Sequence, residues 1–359
     1  MKLTSLIQDK TRSAAAMTVR AQAVAEENPD ELRWDIFSSR KPVNGLRFSE
    51  SALVDFRFVA ERRPYNTRGI EMPEKFGSLR EFMHLPIQAR KTIDEEEIEA
   101  LGVATDDERI LIELLGGTVP GRVDAMTLAD YRRYELDFFR GWATGTILAK
   151  NYATKAIAIV SFGFAADRYK TAATPWSDAG VNAYDEAVAF ARSSKSLTGG
   201  IVGFYLSGDA LEAIRADAPA NANGRQPGDA DLADLIGAEA GIGSFRFVTD
   251  DRVFNVPSDA TADGFDITTG TAPQRVWPVG AVAAIPAGIE VADSCFSPVR
   301  RASDIAGVDG KAKVSNRDVT IVYVPNADDT QVEIQAQLNA YPAFIEQRTA
   351  VIDTGITKA

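Results

Sequence analysis

The sequence holds one cysteine and one histidine in 359 residues. Cys295 alone cannot close an internal disulfide, and it cannot build a cysteine zinc cluster or an iron–sulfur site. His84 alone cannot supply a multi-histidine metal site, and it leaves few routes to imidazole acid–base catalysis. No metal or cofactor is therefore expected, and burial alone must hold the fold. Long apolar runs are also missing. No stretch approaches the roughly 18 apolar residues of a membrane span. The longest candidates, residues 156–160 and 279–285, read as buried strands. Residues 1–25 lack the apolar core of a secretory signal, so synthesis in the cytoplasm is the expectation. Basic charge is in deficit: 39 Lys and Arg stand against 51 Asp and Glu, a net charge of -12. That argues against a free sequence-specific DNA binder.

Hydrophobic residues make up 45% of the chain and charged residues 25%, enough for two or three ordinary globular domains. Residues 1–45 read as an arm with a helical stretch at 13–27. Trp34, Ile36 and Phe37 form an apolar patch that needs a surface, either the chain's own body or a neighbouring copy. Residues 46–93 read as a long extended hairpin. Leu53, Asp55, Arg57 and Val59 lie on one face of its outgoing strand, and Val54, Phe56 and Phe58 on the other. The tip carries Arg62, Arg63 and Arg68. Pro86 suggests an edge position for the return strand, 82–89. Between Arg40 and Arg68 seven basic residues face three acidic ones, a net of +4; residues 94–113 hold nine acidic residues and one Arg, a net of -8. Two adjacent blocks of opposite sign suggest attachment to a second copy of the chain.

The clearest helix is predicted at 127–149, opened by a capping box from Thr127 to Asp130. Leu128, Tyr131, Phe138 and Trp142 fall near one stripe of it, flanked by Tyr134 and Leu136, which makes it a spine for a sheet. A strand follows at 156–164. Residues 177–290 then read as a compact α/β domain, with helices at 177–194, 207–216 and 231–236 and strands at 200–206 and 275–285. Residues 244–248 and 252–256 form a hairpin or two successive strands. Strands at 311–325 and 330–338 close the chain, the second broken at residues 341–344.

Catalytic signatures fail on inspection. Gly116 and Gly121 have phosphate-loop spacing, but Arg122 replaces the lysine, Val123 the hydroxyl residue, and Pro120 removes an N–H, so a turn is expected. Gly241 and Gly243 lack the third glycine of a dinucleotide loop. Acidic runs at 94–97 and 106–108 lack calcium-loop spacing. Nothing assembles a nucleophile, a base and an oxyanion hole.

The order of elements resembles the major capsid proteins of tailed double-stranded DNA phages, and among them the lambda-type family. Residues 131–135 (Tyr-Arg-Arg-Tyr-Glu) through 142–147 (Trp-Ala-Thr-Gly-Thr-Ile) are similar to that family's helix and its short "TG" step. Phe162-Gly163, the Trp176-Ser177-Asp178 step, Tyr184-Asp185 and the closing run from Asp328 through Pro342 to Ile352 follow its order. The resemblance implies an α+β capsid fold divided as follows: an arm at 1–45, an extended loop at 46–93, a peripheral domain at 94–176 with the spine helix, an axial domain at 177–305 and closing strands at 306–359. It implies no enzyme activity. It implies pentamers and hexamers in an icosahedral shell that encloses DNA without reading its sequence, within a virion assembled in the bacterial cytoplasm, with scaffolding, portal and decoration proteins as the classes of partner. Inter-subunit contacts would come from Phe56, Arg57, Phe58, Arg62, Arg63 and Arg68 on the hairpin and from Trp34, Ile36 and Phe37 on the arm. The alternatives are a nanocompartment shell of the same fold and a ring component of the virion.

Overall fold

The computed structural model describes residues 32–43, 47–53, 77–83, 85–94, 119–150, 157–220, 224–257, 271–297, 319–325 and 331–357. A single helical turn, α1 (Trp34–Phe37), leads into β1 (Ser38–Pro42). Next come β2 (Arg47–Leu53), β3 (Gly77–Met83), β4 (Leu85–Asp94) and the long helix α2 (Val119–Thr144). Strands β5 (Thr146–Lys150), β6 (Ile157–Ser161) and β7 (Tyr169–Thr171) precede α3 (Ala183–Thr198), β8 (Ile201–Leu206), α4 (Gly208–Asp217) and α5 (Asp229–Ala240). The order ends with β9 (Arg246–Thr249), β10 (Val253–Pro257), β11 (Thr271–Arg275), β12 (Ala281–Pro286), β13 (Ala292–Phe296), β14 (Val319–Pro325), β15 (Gln331–Phe344) and β16 (Val351–Asp353).

Two five-stranded sheets organise these elements. The first runs β1-β13-β15-β14, with β4 also paired along β15. Helix α2 packs on it, against β15 and β4. The second runs β7-β16-β12-β8-β9 and carries α3, α4 and α5. Its central strands are apolar on both faces for a physical reason. Tyr205, Ala281, Ala283 and Ile285 point into the core around α2, while Phe204, Leu206, Val282 and Ala284 point into the core beneath α3–α5. A strand alternates its side chains, so burial on both sides demands a continuous apolar run. The sheet is thus the partition between two cores.

The long helix differs from its predicted span at both ends. It begins at Val119, so residues 119–123 are helical rather than a turn, and Pro120 sits in the first turn, where its missing N–H costs nothing. Thr127 and Asp130 are therefore interior, buried residues and not a cap. The helix stops at Thr144 because Gly145 takes φ +71° and returns its N–H to the Gly141 carbonyl at 2.9 Å. The chain then turns straight into β5, which takes residues 146–149 out of the helix. Helix α3 starts late, at Asn182, whose side chain accepts from the Asp185 N–H. Ser207 caps α4 in the same way.

Four more expectations are decided by the strand pairing. Of the two readings of residues 244–256, the structure takes successive strands and not a hairpin: β9 runs parallel to β8, and β10 pairs with β11. Residues 341–344 do not break β15. The β4 ladder ends at Ala340, and beyond it Pro342 pairs only opposite Ser294 of β13, where a missing N–H is tolerated. Sheet membership also crosses the expected boundaries. Strand β13 lies within 177–305 yet joins the first sheet, and β7 and β16 lie outside that range yet join the second. The expected return strand at 82–89 is two strands: β3 pairs with β2 from Met83↔Arg47 to Gly77↔Leu53, while β4, with Pro86, pairs with β15.

Candidate assembly surface and its buried junction

Residues 32–42 are stitched into the body from both sides. The Val291 N–H donates to the Phe37 carbonyl and the Val43 N–H to the Phe296 carbonyl, each at 2.7 Å, bracketing the parallel β1–β13 pair. Tyr134 donates to the Ser294 hydroxyl at 2.7 Å, and Ser294 bonds Ser38 at 2.7 Å. Lys41 and Ser39 both bond Asp293. Trp34 meets Tyr134 edge-on, with centroids 5.3 Å apart, and Phe37 lies 5.2 Å from both Trp142 and Tyr205. Arg40 covers the Trp34 ring at 4.9 Å.

Beneath this segment lies a buried charge cluster. Glu135, fully buried on α2, accepts the Arg33 N–H at 2.8 Å and the Trp34 N–H at 3.0 Å. These are donors at the start of α1, which has no side-chain cap of its own. Glu135 also pairs with Arg252 at 2.6 Å. Arg252 turns back on Asp250, with Nε at 2.8 Å from Oδ1 and Nη2 at 2.7 Å from Oδ2. Asp250 in turn accepts from the Tyr205 hydroxyl. The guanidinium lies over the Phe139 ring at 5.5 Å. One cluster thus joins the N-terminal segment, α2, β8 and the turn after β9.

Burial dominates the titration of this cluster. It pushes the Glu135 carboxyl up to about 7 against the opposing pull of Arg252 and the two N–H donors. Burial also raises Asp250, but hydrogen bonds from Arg252 and Tyr205 outweigh it and leave that carboxyl below its usual range. Elsewhere on α2, burial pushes Asp137 up to about 6 despite its Arg133 partner, and raises Asp130 well above the carboxylate range despite an N–H from Ala89. These groups are structural in placement. Among the described residues no group of three His, Cys, Asp or Glu could hold a metal, and no helix is long and apolar enough to cross a membrane.

No protein-family model matches the chain, and no curated protein sequence does. Solved structures do match. A structure described as a prophage capsid protein of E. coli CFT073 superposes with a TM-score of 0.50 at 10% identity, over 77% of this chain and 79% of that one. The chain adopts the tailed-phage major capsid fold. A phage-related protein of Bordetella bronchiseptica RB50 gives a TM-score of 0.49 at 12% identity, over 95% of this chain and 98% of that one. The capsid of Myoviridae phage XM1 gives 0.45 at 10%, over 88% and 89%.

Within this capsid fold the sequence-derived residues separate. Tyr131, Phe138 and Trp142 are buried together on α2, while Leu128 is half-buried. Trp34 and Phe37 are 1% and 2% exposed in the chain's own core, which corrects their assignment as arm contacts offered to a neighbour. The aromatic residues of α2 and the flank of β13 supply the surface they needed. Ile36, 55% exposed, is the member of that trio left to solvent. Phe56, Arg57, Phe58, Arg62, Arg63 and Arg68 lie outside the described residues, as does His84. Cys295 is buried. Sequence reasoning missed Glu135, Arg252, Asp250 and Tyr205. The available signal was a carboxylate four residues from both Tyr131 and Phe139, on a stripe that should be apolar.

Proposed function

We propose that this chain is a major capsid protein of the lambda-type family, which assembles as pentamers and hexamers into an icosahedral shell around phage double-stranded DNA. The observation that carries the reading is the fold shared with a prophage capsid protein over three-quarters of both chains. In this reading the first sheet and α2 form the peripheral domain, the second sheet and α3–α5 form most of the axial domain, and the hairpin based on β2 and β3 reaches across a neighbouring copy. The chain works by contact and not by catalysis, and its location is the virion. The +4 stretch from Arg40 to Arg68 and the -8 stretch over 94–113 set register between copies. Exposed Ile36, Ile159 and Val253 supply apolar contact area. Scaffolding, portal and decoration proteins are the partners this role would use.

Electron microscopy of the purified chain, expressed with and without its genomic neighbours, tests the proposal. Closed shells, or rings of five and six, are the expected result. A monomer under every condition, stabilised by a small ligand, would overturn it.

A further inference from the structure

We propose that Glu135 is a proton-linked latch that couples the seat of residues 32–37 to the α/β unit. The inference concerns the folded single chain and goes beyond the capsid reading. Its basis is the arrangement of charge. The Glu135 carboxyl supports two backbone N–H groups of the N-terminal segment, and it does so with no exposed surface. Its guanidinium partner, Arg252, is already engaged by Asp250 through two side-chain bonds. Two carboxylates therefore share this guanidinium in a dry site, and like charges there resist ionising together. Asp250 is the better supplied of the two, because Tyr205 and the Arg252 N–H also donate to it. Glu135, which burial raises to about 7, is therefore the carboxyl of the two that takes up a proton first as pH falls.

The groups that face Glu135 can be named from each element around it. Arg33 comes from the N-terminal segment, and its guanidinium turns to the Thr249 carbonyl at 3.4 Å. Asp250 and Arg252 come from the turn after β9, and Tyr205 from β8. Along α2 the ionisable groups within one turn are Tyr131, buried on the same stripe, Arg132, whose guanidinium lies 6.0 Å from the Phe254 ring centroid, Tyr134, bonded to Ser294, and Arg133 and Asp137, which pair with each other.

The sign of the linkage follows. Seated, the Glu135 carboxyl titrates near 7 because it is buried. Once residues 32–37 lift away it meets water and returns toward an ordinary glutamate. The seated form then holds the proton more tightly than the lifted form. The seat is strongest below the ordinary glutamate pKa, weakens as pH rises, and levels off above about 7. Ionisation does not remove the acceptors of the two amides. It adds a second negative charge to a site with no water to screen it.

Hydrogen exchange of the full-length, unassembled chain tests this, read on the peptide covering residues 32–38 and corrected for intrinsic exchange. Wild-type protection should fall at least about tenfold between pH 4 and pH 7 and then flatten. Glu135→Gln, which is neutral at every pH, should give a flat profile. Asp250→Asn frees Arg252 for Glu135, so the fall should become smaller and level off at lower pH. A flat wild-type profile would overturn the latch, as would a fall that survives unchanged in Glu135→Gln or Asp250→Asn. If Glu135→Gln does not fold, the wild-type and Asp250→Asn profiles still decide. A merely structural Glu135 would change protection equally at all pH values. Shells seen or not seen by microscopy leave this profile unaltered, so the latch and the capsid reading fail separately.

Discussion

Replacing Trp34 with alanine separates two accounts of the N-terminal segment, one in which it is folded by its own body and one in which it is folded only by neighbours. Trp34 is 1% exposed and wedged between Tyr134 of α2 and Phe296 of β13, with centroids at 5.3 and 5.4 Å, beneath the Arg40 guanidinium. Large-to-small changes at such buried aromatics cost about 3–5 kcal/mol, transfer and cavity terms together. The upper half of that range applies, because α2 and the β1–β13 pair are pinned by hydrogen bonds on both sides and cannot collapse into the void. At ~2–4 °C per kcal/mol for domains of 150–250 residues, the melting temperature should drop by roughly 8–20 °C. The assay is thermal unfolding by circular dichroism, at concentrations where sedimentation shows a monomer. Ile36→Ala is the control; at 55% exposure it should stay within ~0.5 kcal/mol of wild type. A Trp34→Ala monomer that melts within 2 °C of wild type, an interval small against the roughly 8–20 °C expected, would show that the segment is not seated in the free chain.

Further outcomes follow from the same contacts. Gly203→Ala would place a Cβ 2.0 Å from the Arg246 carbonyl oxygen across the parallel β8–β9 pair, so it should cost about 1–3 kcal/mol or more and reduce the yield of soluble chain. Glu135 and Asp137 hold protons in the folded state that the unfolded chain releases, so the stability they contribute is full below pH ~4 and is lost as pH rises through about 6 and 7. The melting temperature of wild type relative to Glu135→Gln should therefore fall across that interval, and a constant difference would contradict it. Reversing Arg62, Arg63 and Arg68 to Glu should leave the monomer's circular dichroism intact and abolish shells in micrographs; normal shells from the triple variant would remove the hairpin from the interface.

Legibility followed locality. The aromatic stripe of α2 was readable, because Tyr131, Phe138 and Trp142 recur at helical spacing and lie buried together. Its ends were not, since Thr127 and Asp130 imitate a capping box, and only the burial of Arg122, Val123 and Met126 in the folded chain shows that the helix is already running. The apolar strands at β8 and β12 were readable as buried, but not as the wall between two cores. A run that is apolar at every position carries no period to say which residue faces which side. Pro342 marks the same limit. A proline in a strand pattern suggests a break, and what permits it here is that the β4 ladder stops two residues earlier.

The misjudged arm and the missed cluster share one cause. Trp34 and Phe37 appeared to lack a partner because their partners are Tyr134, Phe139 and Trp142 on α2 and Phe296 on β13, far along the chain. Glu135 appeared to be one more polar residue on a helix because Arg252 and the Arg33 N–H are equally remote. Each half of these contacts breaks a local rule: exposed aromatics in a short arm, and a carboxylate on an apolar stripe. Each violation compensates the other in space, since the carboxylate caps the turn that carries the aromatics. Two unexplained anomalies in one sequence, one apolar and one charged, are thus grounds for placing them together before placing either against another molecule. Of the arm's three apolar residues the fold leaves Ile36 outside, and under the proposed capsid reading it is the one the arm can offer a neighbouring copy beside the charged hairpin. That is a narrower and more testable interface than the arm as a whole.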